Sequence, residues 1–104
     1  MRTTLIILAI ALSPWAHGSG EFTNPIVRGG YPDPSICRVG EEFFLVNSSF
    51  EYFPGLPLHR SRDLVNWELV GHGLHRIEQA TDAVNLVDVQ SNGGIHAPTL
   101  RCRD

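Results

Sequence analysis

Beyond residue 34 the hydrophobic pattern breaks into short runs of β type, each bounded by a turn signal. Residues 35–39 form the first run, Gly40-Glu41 supplies a tight turn, and residues 42–48 form the second, with Phe43, Phe44, Leu45 and Val46 consecutive and apolar. An uninterrupted apolar run of this length suits a strand covered on both faces. The aromatic loop Phe50-Glu51-Tyr52-Phe53-Pro54-Gly55 leads to a third strand over 56–61, a turn at Arg62-Asp63 and a fourth strand over 66–70. Short strands punctuated in this way predict an all-β, up-and-down antiparallel sheet, and four of them in about 36 residues match one blade of a β-propeller.

Residues 71–94 show no clean period, and a connection that long in a compact domain is commonly functional or carries a short helix. β character resumes over 95–102. There Pro98-Thr99-Leu100 echoes Pro34-Ser35-Ile36 from 64 positions earlier, where the first strand of a second blade is expected to begin. In an up-and-down blade, the start of strand one, the loop between strands two and three, and the link to the next blade share one end. Asp33, the 50–55 loop and His96 are therefore expected to converge. A carboxylate flanked by aromatics has the makings of a sugar site, because aromatic rings stack on the apolar face of a sugar ring while the carboxylate handles a proton.

The N-terminal residues read as a secretory signal peptide over 1–18: Arg2, an apolar run over 5–12, then small residues at Ala16 and Gly18. The run is too short to span a bilayer, which takes ~20 residues. Residues 19–104 are therefore expected as a secreted protein, extracellular or periplasmic, with no membrane partner. The net charge of -3 comes from 8 basic and 11 acidic residues scattered along the chain, without the basic stripe that a nucleic-acid partner would require. Cys37 and Cys102 are compatible with one disulfide, and the sequence leaves their pairing open. Neither these cysteines nor His59, His72 and His75 have metal-ligand spacing, so no metal and no cofactor is expected. Asn47-Ser48-Ser49 is a glycosylation sequon, but its place at a strand end beside the proposed site argues against occupancy.

Five blocks in order, Asn24-Pro25-Ile26-Val27, Tyr31-Pro32-Asp33-Pro34-Ser35, the stretch 48–55, the stretch 59–67, and Gly93-Gly94-Ile95-His96-Ala97-Pro98-Thr99, resemble glycoside hydrolase family 43. The resemblance covers residues 24–104. It implies a five-bladed β-propeller, of which residues 19–104 are the N-terminal part: the first blade and the first strand of the second. It implies an inverting hydrolase of O-glycosidic bonds in xylan or arabinoxylan, a β-xylosidase or α-L-arabinofuranosidase acting on xylo- or arabino-oligosaccharides. Asp33 matches the family's general base, Phe50 lines the sugar subsite, and His96 with Ala97 contacts the sugar. His96 stands where tryptophan is frequent, which changes the shape of that subsite. The family's general acid, a glutamate, and the aspartate that tunes it belong beyond residue 104, so these 104 residues alone are expected to be inactive and incompletely folded. Two rival readings are a non-catalytic carbohydrate-binding propeller, which would keep the aromatics without needing Asp33, and a small structural β module.

Overall fold

Four strands follow one another as an antiparallel meander in the computed structural model, which describes residues 20–79, 86 and 88–103. The segment read as a signal peptide lies outside the described residues. Strand β1 (Ser35–Val39) pairs with β2 (Glu42–Val46), β2 with β3 (Gly55–Ser61), and β3 with β4 (Glu68–Leu74). The sheet order is β1-β2-β3-β4, as the alternating runs and turns predict. Gly40 has φ 61 and stands first in the two-residue turn between Val39 and Glu42. A type II′ hairpin needs a left-handed residue there, and glycine adopts that conformation without steric cost.

Strand β2 ends at Val46 rather than 48, where Ser48 N–H turns to the backbone carbonyl of Pro32, and β3 begins at Gly55 rather than 56; at the start of β4 side chains capture the backbone amides. Strand β4 begins at Glu68 rather than at 66. The Asp63 carboxylate accepts the amides of Val65 and Asn66 at 2.9 and 2.7 Å, the Asn66 side-chain amide at 2.7 Å and the Ser61 hydroxyl at 3.0 Å. Those amides close a turn and cannot join a ladder. The same bonds, the Asn66 amide foremost, hold the Asp63 carboxyl well below the usual carboxylate range. Strand β4 then runs on to Leu74 through a bulge at Val70, since Leu58 faces Gly71 while His59 faces Leu69. A short 3-10 turn follows at Ile77–Gln79, where Gln79 accepts the amides of His75 and Arg76 at 3.0 and 2.9 Å.

The expected strand over 95–102 is not formed among the described residues. Only Ile95 makes a β-bridge, to Phe50. The amides beyond it find side-chain oxygens instead: Ala97 N–H donates to Ser48 Oγ at 2.7 Å and Leu100 N–H to Ser35 Oγ at 2.9 Å. Nor is the apolar run of β2 fully covered: Phe43, Phe44 and Leu45 are half-buried, and Val46 alone is buried. The deepest burial lies one step further on, in the polar run Asn47-Ser48-Ser49, where Asn47 is 1% and Ser48 2% exposed. Buried polar groups are stabilised by hydrogen bonds, and the bonds made by Asn47 Nδ2, Ser48 and Ser49 build one end of the sheet, while Asn47 Oδ1 is buried without a hydrogen-bond partner among the described residues. No helix among the described residues is long and apolar enough to cross a membrane. Cys37 and Cys102 are both free thiols.

Candidate active site

Where β2 ends, the backbone leaves the ladder and gathers two distant segments. Asn47 Nδ2 donates to the carbonyls of Tyr31 at 2.7 Å and Pro32 at 3.1 Å. Ser48 N–H adds a second bond to Pro32 O at 3.1 Å. These bonds clamp the chain just before Asp33. Next along, Ser49 and Phe50 donate to Ile95 O at 3.2 and 2.9 Å, and Ile95 N–H returns a bond to Phe50 O at 3.0 Å. Residues 93–97 are thereby laid against the start of the aromatic loop.

The side chains of the predicted site meet at this junction. The Ser48 hydroxyl donates to Asp33 Oδ2 at 2.5 Å. The rings of Phe50 and His96 stand edge to face, with centroids 4.9 Å apart at 76°. Asp33 and His96 are exposed and Phe50 is half-buried, so the carboxylate and both rings are open to a ligand. Ala97 contributes its amide to Ser48, which makes it a scaffold for the junction. Tyr52, at 67% exposure, and Phe53 point into solvent from the same loop. The convergence expected from topology for Asp33, the 50–55 loop and His96 is thus present.

Three residues here hold left-handed backbone conformations without being glycine: Asp33 at φ 51, Phe50 at φ 49 and Ala97 at φ 39. Each such residue costs ~1–2 kcal/mol and persists only where its surroundings over-determine it. The clamp and the Phe50–Ile95 bridge supply that constraint. A cleft of about 760 Å³ opens beside the junction, lined by Tyr31, Pro32, Ser48, Phe50, Tyr52 and His72 among others.

Behind the cleft, the buried ring of His59 packs edge-on against Tyr31 at 4.8 Å. Burial first, and the neighbouring His72 second, lower the His59 pKa below its ordinary value. At the opposite end of the sheet a polar cavity of about 560 Å³ is lined by Arg60, Arg62, Glu42 and Glu68. Its charges pair with one another, Arg60 with Glu68 at 3.0 Å and Arg62 with Glu42 at 3.2 Å. Among the described residues no group of three or more His, Cys, Asp or Glu side chains is arranged to hold a metal ion.

Asn47 and Ser48 are the residues that sequence reasoning missed as parts of the site. Their signal was present: a polar triplet directly after four apolar residues, at a place where the chain stays buried. It reads equally well as a glycosylation sequon. In the structure Asn47 is enclosed and its amide nitrogen is engaged twice, leaving no room for a glycan.

Comparison with known proteins sets this geometry in a family. The model of glycosyl hydrolases family 43 matches residues 22–104. The chain belongs to that family. It is 48% identical over 104 residues to the non-reducing end alpha-L-arabinofuranosidase of Bacteroides ovatus, covering 99% of this chain and 19% of that protein. It is 45% identical over 84 residues to the beta-xylosidase of Bacillus subtilis, covering 81% of this chain and 15% of the relative. Among solved structures, the GH43 protein BlXynB of Bacillus licheniformis superposes with a TM-score of 0.71 at 42% identity, over 80% of this chain and 16% of that one. The four-stranded sheet is a blade of the family 43 β-propeller. The chain spans less than a fifth of the length of these curated relatives.

Proposed function

We propose that this segment supplies the general base and part of the sugar subsite of an inverting glycoside hydrolase acting on xylose- or arabinose-containing oligosaccharides. The observation that carries the reading is the position of Asp33: an exposed carboxylate fixed on one oxygen by Ser48, next to the Phe50 and His96 rings. The names of the relatives, an arabinofuranosidase and a β-xylosidase, support the substrate class.

In an inverting hydrolase two carboxyl groups ~6.5–9.5 Å apart flank the scissile bond. Asp33 would take a proton from a water as that water attacks the anomeric carbon, while the leaving oxygen is protonated by the second group. The family resemblance assigns that acid to a glutamate beyond residue 104. Phe50 and His96 would hold the sugar ring, Phe50 through its apolar face and His96 through its edge and ring nitrogens. Residues 1–18 would direct export, and N-terminal sequencing of the secreted protein should find cleavage near Gly18.

The test is a chimera in which residues 22–104 replace the matching stretch of the Bacteroides ovatus arabinofuranosidase. With aryl α-L-arabinofuranosides and aryl β-xylosides, Asp33→Asn should lower kcat by ~10²–10⁴-fold, the usual worth of a positioned general base. The first-formed sugar, followed by NMR, should have the inverted anomeric configuration. Retention of more than about a tenth of the parent turnover would remove Asp33 from the role of base.

A further inference from the structure

The geometry points to Ser48 as a positioning residue that orients the Asp33 carboxylate and ties it to the His96-Ala97 wall of the same site. This inference rests on the reading of Asp33 as the base and deepens it.

A hydroxyl carries one hydrogen and two lone pairs, whereas a backbone amide can only donate. Ala97 N–H lies 2.7 Å from Ser48 Oγ, so that oxygen is the acceptor. The Ser48 hydrogen is then directed to its other close neighbour, Asp33 Oδ2 at 2.5 Å. The direction of the whole relay, Ala97 to Ser48 to Asp33, is fixed by the one member that cannot accept. Asp33 Oδ2 is thereby held as an acceptor, which leaves the carboxyl free of any donor role at this oxygen.

Ser48 is 2% exposed and its backbone N–H is held by Pro32 O at 3.1 Å. Its side chain therefore has little freedom to follow Asp33 if the carboxylate rotates. Asn47 fixes the backbone leading to Asp33, and Ser48 fixes the carboxylate itself. With Oδ2 engaged, the exposed remainder of the group is left facing solvent, where a nucleophilic water would stand. Through Ala97 the same hydroxyl sets the distance between the base and the residues that contact the sugar.

The experiment is a double-mutant cycle in the chimera described above, using an aryl glycoside with an activated leaving group so that weak turnover stays measurable. Ser48→Ala should lower kcat by ~10–100-fold, as expected when a catalytic group is displaced by about 1 Å, while KM changes by less than about threefold. In the Asp33→Asn background the same substitution should cost little more, because the group it positions no longer acts. An equal loss in both backgrounds, or an unchanged kcat, overturns the inference. Should Ser48→Ala fail to fold, Ser48→Thr keeps the hydroxyl and should retain kcat within several-fold; a folded Thr variant with a ~100-fold loss in kcat also overturns it. Activity surviving in Asp33→Asn alone would instead sink the assignment of the base, so the two failures are distinguishable.

Discussion

Gly94→Ala tests the junction at its tightest point. Gly94 has φ +85, and a Cβ added there would collide with Phe50 O and lie 2.8 Å from Phe50 C and 3.2 Å from Leu86 Cδ2. Carbon atoms in contact stand ~3.5–4.0 Å apart, so the backbone at 94 must retreat by about 1 Å. Phe50 cannot yield freely, because its N–H and C=O are both bonded to Ile95, at 2.9 and 3.0 Å. Losing those two bonds costs about 1 kcal/mol each, and an alanine at this φ adds ~1–2 kcal/mol. The expected destabilisation is about 3–4 kcal/mol. Ile95 precedes His96, so the shift also moves the residue proposed to contact the sugar, and kcat/KM should fall by ~100-fold. The assay is urea unfolding of the chimera together with kcat/KM on an aryl arabinofuranoside. Gly71→Ala is the control, since nothing lies within 4 Å of its Cβ. Unchanged stability with kcat/KM within about twofold of the parent would refute the argument, because misplacement by 1 Å is worth far more.

Three further outcomes follow from the same geometry. Phe50→Ala should lower kcat/KM by ~10–100-fold, matching the ~1.5–3 kcal/mol of a large apolar contact; a fall in melting temperature with unchanged kinetics would assign Phe50 to packing alone. His59 has a folded pKa lowered by burial, so its contribution to stability is intact above the ordinary value of 6.5. As pH falls through 6.5 the unfolded chain takes up the proton first, and stability declines until the lowered folded pKa is passed. The melting temperature should therefore drop as pH falls below 6.5, and His59→Phe should flatten that drop; an identical slope in both proteins would contradict it. Secreted from a eukaryotic host, folded and active chimera should carry no glycan at Asn47, whose side chain is 1% exposed; a glycan found there by mass spectrometry would contradict the clamp.

Much of this was legible in the residues because an up-and-down sheet leaves few choices. The Gly40-Glu41 turn fixed the start of β2, and strand alternation alone placed Asp33, the 50–55 loop and His96 at one end. What escaped were the places where side chains take over backbone bonding. Asp63 draws the amides of Val65 and Asn66 out of β4. Ser48 and Ser35 take the amides of Ala97 and Leu100, and residues 95–102 have no partner strand among the described residues beyond the Phe50–Ile95 bridge. Polar residues after an apolar strand ordinarily signal a loop returning to solvent. Here they signal the most enclosed part of the chain, and only the partners reveal it.

The meander has a consequence for the order of assembly during synthesis. Each ladder joins consecutive strands, so loop closure is short and the sheet can zip as soon as residue 74 has left the ribosome. The bonds that finish the site span far more chain: 49 residues from Ser48 to Ala97 and 65 from Ser35 to Leu100. The segment carrying His96 is thus made after the whole sheet, and the bond from Ala97 N–H to Ser48, whose hydroxyl also meets Asp33, can form only once that segment has arrived.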